Sequence, residues 1–112
     1  MEVTIRALKS VDLVEVAGRV DSVSAPRLDQ ALKDLMQNGR YKIALDLKGV
    51  EYMSSSGLRA IVSCLREVHK PIFGGNLVIV QPSERVRDVL EISGLDSVLN
   101  VYDDQVGAIG SF

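Results

Sequence analysis

The hydrophobic period of this chain changes from two to about 3.6 and back several times, and few architectures accept such a pattern. Val3, Ile5 and Ala7 alternate with Glu2, Thr4 and Arg6, which predicts a half-buried strand. Lys9-Ser10 turns the chain into Leu13-Val14-Glu15-Val16-Ala17, so the first two strands form a hairpin. Ser24-Ala25-Pro26 then reads as a helix start, with Ser24 as the N-cap. Leu28, Ala31, Leu32, Leu35 and Met36 make one helical stripe, closed by Asn38-Gly39. Ile43 to Leu47 suits a strand covered on both faces. A second helix is expected from about Ser56 to His69, burying Leu58, Ile61, Val62, Leu65 and Val68. Gly74-Gly75 leads into a buried strand, Leu77 to Val80. Pro82-Ser83 opens a third helix that turns Val86, Val89 and Leu90 inward and ends at Ser93-Gly94-Leu95. Val98, Leu99 and Val101 predict a last short strand. Residues 104–112 read as a tail or a short helix weakened by Gly107 and Gly110.

This alternation predicts an α/β fold: a mixed, mostly parallel sheet of about five strands flanked by helices, with the hairpin adding an antiparallel edge. The 112 residues suit a single domain with a core over about 3–103. Hydrophobic residues make up 46%, enough for that core. A net charge of −2, with Lys and Arg scattered singly, argues against a nucleic-acid partner. Cys64 is the only cysteine, which excludes an internal disulfide and fits a reducing cytoplasm. No apolar stretch approaches the ~20 residues of a membrane span, and no signal-peptide run is present. A cytoplasmic protein without a membrane anchor is expected.

Catalytic constellations are hard to assemble from these residues. Ser54-Ser55-Ser56-Gly57 sits at a strand-to-helix turn but lacks the spacing of a nucleophile elbow. His69, the only imidazole, lies roughly 20 Å along the same predicted helix from Ser56. Asp21 and Asp46 stand near strand ends, where α/β sites are built, but no D-x-D pair or histidine accompanies them. Neither phosphate-binding glycine motif occurs. Cys64 falls on the flank of its helix and reads as a packed thiol. The expectation is a protein that is not an enzyme and needs no metal or cofactor. The serine run keeps two readings. It is an ordinary helix cap, or it carries a phosphate at Ser56, with Gly57 at the first helical position leaving that hydroxyl approachable.

The ordered motifs Gly18-Arg19-Val20-Asp21, Ile43 to Leu47 with Val50, Tyr52-Met53-Ser54-Ser55-Ser56-Gly57-Leu58, Gly75 to Val80, Pro82, Val86, Val89-Leu90 and Ser93-Gly94-Leu95 are similar to those of the STAS domain family, which includes anti-sigma factor antagonists. The resemblance covers about residues 3–103. It implies a phosphorylatable residue just before the glycine, a position that Ser56 occupies. It further implies a serine kinase that doubles as an anti-sigma factor and modifies Ser56, and a serine phosphatase that reverses the change. The unmodified protein would capture the anti-sigma factor and free a sigma factor. Asp21 matches an acidic position in the family's partner-facing loop, and Ser54, Ser55, Gly57 and Arg59 complete the implied partner surface. Many antagonists carry Asp two residues before the acceptor, where this chain has Ser54. A binding module of the same family without a phosphoswitch, serving as a scaffold or as a lipid- or nucleotide-handling subunit, is the alternative reading.

Overall fold

The computed structural model describes all residues 1–112, and its elements alternate as the periodicity predicts. They run β1 (Glu2–Leu8), β2 (Val11–Val20), α1 (Ala25–Gln37), β3 (Lys42–Met53), α2 (Ser55–Val68), β4 (Asn76–Val80), α3 (Glu84–Ser93), a short 3-10 turn (Leu95–Ser97), β5 (Asn100–Tyr102) and α4 (Gln105–Gly110). The five strands form one sheet in the order β1-β2-β3-β4-β5. β1 pairs antiparallel with β2, and every later pair is parallel.

Strand alternation divides the core in two. Val14, Val16, Ile43, Leu45, Leu47, Leu77 and Ile79 face one side, where α1, α2 and α3 bring Leu28, Leu32, Ile61, Cys64, Leu65, Val86 and Leu90 against them. Val11, Leu13, Ala44, Val78 and Val80 face the other side and are met by Ala108 of α4. Residues 104–112 thus contain a helix that caps the second sheet face. Its start is fixed by Asp104, whose Oδ1 accepts the Gly107 N–H at 2.7 Å. That cap and the burial of Ala108 override the low propensity of Gly107 and Gly110.

Four local expectations are corrected. β1 is mostly exposed instead of half-buried, with only Val3 partly covered and Ile5 at 42%, because the helices pack over the inner strands. β3 continues well past Leu47 to Met53. It carries two irregularities against β2, between the pairs Glu15↔Asp46 and Ala17↔Gly49 and between Gly18↔Val50 and Arg19↔Tyr52. Each inserts an extra β3 residue and breaks the two-residue period. Asp46, expected above near a strand end, lies inside β3 at the first irregularity. Its Oδ1 accepts the Lys48 N–H at 2.9 Å, and its Oδ2 accepts Nε2 of Gln105 at 2.8 Å. The last strand starts at Asn100, and Val98 is exposed in the preceding turn. Finally, Cys64 is in the core of α2 and not on its flank, while Leu58 and Val62 are only partly buried. Burial pushes its thiol up to about 12, reinforced by the charges of Asp29 and Glu67.

Candidate functional site

The carboxyl ends of β2 and β3 lie side by side, so the loops leading into α1 and α2 share one edge of the sheet. The Ser54 N–H donates to the Val20 carbonyl at 2.8 Å and ties the two loops together.

The three serines divide their work. Ser54 is extended, with φ −80° and ψ 169°, and its Oγ accepts the Gly57 N–H at 3.2 Å. It is therefore the N-cap of α2, which begins one residue earlier than the periodicity predicts. Ser55 is exposed in the first helical position. Ser56 follows, half-buried, and Nη2 of Arg59 reaches its Oγ at 3.4 Å, a long contact. Gly57 is buried in the third helical position, not the first. A Cβ there would overlap Sδ of Met53 and lie 2.8 Å from Cγ1 of Val20. Glycine is present so that α2 can approach the sheet, which replaces the expectation that it uncovers Ser56.

Asp21 plays the part assigned above to Ser24. Its Oδ1 accepts the N–H groups of Val23 at 3.0 Å and Ser24 at 2.9 Å. The Ser24 hydroxyl accepts the Asp21 N–H at 3.0 Å and shares its one hydrogen between the Arg19 carbonyl at 2.8 Å and Oδ1 of Asp21 at 3.1 Å. Donation from the Ser24 backbone, then from its hydroxyl, holds the Asp21 carboxyl below its ordinary range. Asp21 thus builds the loop, and its neighbour Ser22 faces the serine run. Ser22, Asp29, Ser56, Arg59 and Ser63 line a surface hollow of about 360 Å³ between α1 and α2. Across that hollow the Asp29 carboxylate is paired with Lys33 at 2.8 Å.

Two further features adjoin the site. Val23 is 85% exposed at the loop tip, an apolar residue among turn formers. Its sequence signal was that isolation. Arg19 lies over the Tyr52 ring, 4.5 Å from its centroid, a contact set by the β2–β3 register and invisible to local patterning. His69 ends α2 at its opposite end, with Nε2 2.7 Å from Oδ1 of Asn76. No cluster of three His, Cys, Asp or Glu side chains suits a metal ion, and no helix is long and apolar enough to cross a membrane.

Two half-buried serines, one engaged as the helix cap and one with its hydroxyl facing the hollow beside a guanidinium outside any ion pair, form a polar surface suited to recognition. The STAS domain family model matches residues 2–108. The anti-sigma-B factor antagonist of Bacillus subtilis (strain 168) is 33% identical over 96 residues, spanning 86% of this chain and 85% of that protein. An anti-sigma factor antagonist from Mycobacterium paratuberculosis superimposes with a TM-score of 0.87 at 24% identity, covering 98% of this chain and 92% of the other. Unphosphorylated SpoIIAA, also an anti-sigma factor antagonist, gives a TM-score of 0.83 at 19% identity over 96% and 93% of the two chains. The phosphorylated form of SpoIIAA, from Bacillus, gives 0.77 at 18% identity over 98% of each.

Proposed function

This chain belongs to the STAS domain family, among its anti-sigma factor antagonists, and from that premise we propose that it is switched by phosphorylation of Ser56. In this reading the unmodified protein binds an anti-sigma factor that is also a serine kinase and releases a sigma factor. ATP supplies the phosphoryl group to Oγ of Ser56, ADP leaves, and a serine phosphatase restores the hydroxyl. The protein acts by binding, in the cytoplasm, without a cofactor of its own.

The observation that carries this reading is the division of labour among the serines. Ser54 is committed to the cap, whereas the Ser56 hydroxyl has only a long contact from Arg59 and lines an open hollow. A group of about two negative charges added there meets the positive end of α2, an interaction of about 0.3–1 kcal/mol that the fold tolerates. The same charge inside an interface must be desolvated. Breaking a contact in that way costs about 3–5 kcal/mol, roughly a hundred- to several-thousand-fold in affinity. The switch therefore acts on binding and leaves the fold in place. Ser22, Val23, Ser55 and Arg59 belong to the surface that the partner covers, with Asp21 shaping the loop beneath it.

The test is a kinase reaction with ATP and the anti-sigma factor captured from native lysate, followed by mass-spectrometric site mapping. One phosphate on Ser56, absent from Ser56→Ala, is expected. A phosphate on Ser54 or Ser55, with Ser56→Ala still modified, would overturn the assignment.

A further inference from the structure

We infer that Arg59 is a positioning residue for the phosphorylated state: it pairs with the phosphate on Ser56 and holds it against α2. The inference rests on Ser56 as the acceptor. Arg59 stands three residues after Ser56 on the same helix, a spacing that brings side chains together on one face. Its Nη2 already reaches the Ser56 Oγ at 3.4 Å, and none of the five ion pairs in the molecule uses its guanidinium. A phosphate extends further than a hydroxyl and offers three acceptor oxygens, so the long contact becomes a charge-assisted, two-pronged one.

The other charged group on the hollow's wall is Asp29 of α1, which is engaged with Lys33. Asp29 opposes a dianion and Arg59 favours one. A carboxylate placed like the phosphate would compete less well, because it lacks the third oxygen and the reach. Arg59 thereby distinguishes a true phosphate from an acidic substitution at Ser56 and makes the modified state more persistent.

The experiment installs phosphoserine at position 56 of the full chain by genetic code expansion and follows its second ionisation by phosphorus NMR. An ordinary phosphoserine has this step near pH 6. The expected value in the wild-type background lies about half a unit to one unit below that of Arg59→Ala, with Asp29 present in both. Arg59→Lys should restore most of the shift, Arg59→Gln none, and added salt should shrink it. Circular dichroism of each variant verifies folding, and Arg59→Gln retains most of the aliphatic stem should alanine disturb the helix. Wild type and Arg59→Gln titrating together would overturn the inference whatever a kinase does to the protein. Failure of the kinase to modify Ser56 would instead overturn the acceptor assignment and leave this titration unaffected.

Discussion

Replacing Gly57 by alanine separates two reasons for a glycine beside the proposed acceptor. If glycine serves packing, the variant loses stability; if it serves access to Ser56, the variant keeps stability and loses only modification or binding. The added methyl would overlap the end of Met53, a side chain with room to re-orient only within a core where it is 4% exposed. It would also lie 2.8 Å from Cγ1 of Val20, which is fully buried and, being β-branched, cannot turn away. Overpacking of this kind costs about 1–3 kcal/mol. Alanine recovers at most about 1 kcal/mol of helix propensity, and less in the first turn. The net is a destabilisation of about 0.5–2 kcal/mol. With a urea dependence of about 2 kcal/mol/M, the midpoint should fall by about 0.25–1 M. Equilibrium urea unfolding followed by circular dichroism measures it. A midpoint at or above wild type, accompanied by lost phosphorylation, would refute the packing argument.

Three other outcomes are expected. Arg40→Ala should destabilise the fold by about 3–5 kcal/mol in urea or thermal unfolding, because Nε of Arg40 pairs at 2.7 Å with the Asp12 carboxylate, whose side chain is only 3% exposed. Cys64, its thiol raised to about 12, should be ~10⁻⁴ thiolate at pH 8, so iodoacetamide should label it only in unfolded protein. Asp21 titrates lower in the folded than in the unfolded chain, so its stabilisation is complete above about pH 4 and is lost as pH falls through the depressed folded value. Acid unfolding should accordingly be less steep for Asp21→Asn, which keeps the acceptor for Val23 and Ser24 without the titration.

The sheet was legible where the chain carries short apolar runs that are buried on both faces, as in Ile43 to Leu47 and Leu77 to Val80. It became illegible where β3 bulges, because Val50 and Met53 are three residues apart and still face the core. The buried face of α2 was legible at Ile61, Leu65 and Val68 and incomplete elsewhere. Gly57, Ala60 and Cys64 line it, and a search for bulky residues overlooks small ones that let a helix approach a sheet. The final helix was ambiguous because its stability comes from the Asp104 cap and from contacts with distant Ala44, Val78 and Val80. At the site, the serine run located the helix start but not the roles within it. Which serine caps depends on one dihedral at Ser54, and which residue caps the preceding loop depends on Asp21 folding back on Ser24. Composition carries neither.

A phosphate on Ser56 should control partner binding without refolding the domain. Titration calorimetry of the captured anti-sigma factor against the full chain, with either serine or installed phosphoserine at position 56, measures it directly. The phosphorylated chain should keep the circular dichroism spectrum of the unmodified one and bind about a hundredfold or more weakly. Equal affinities for the two forms, with both folded, would contradict that.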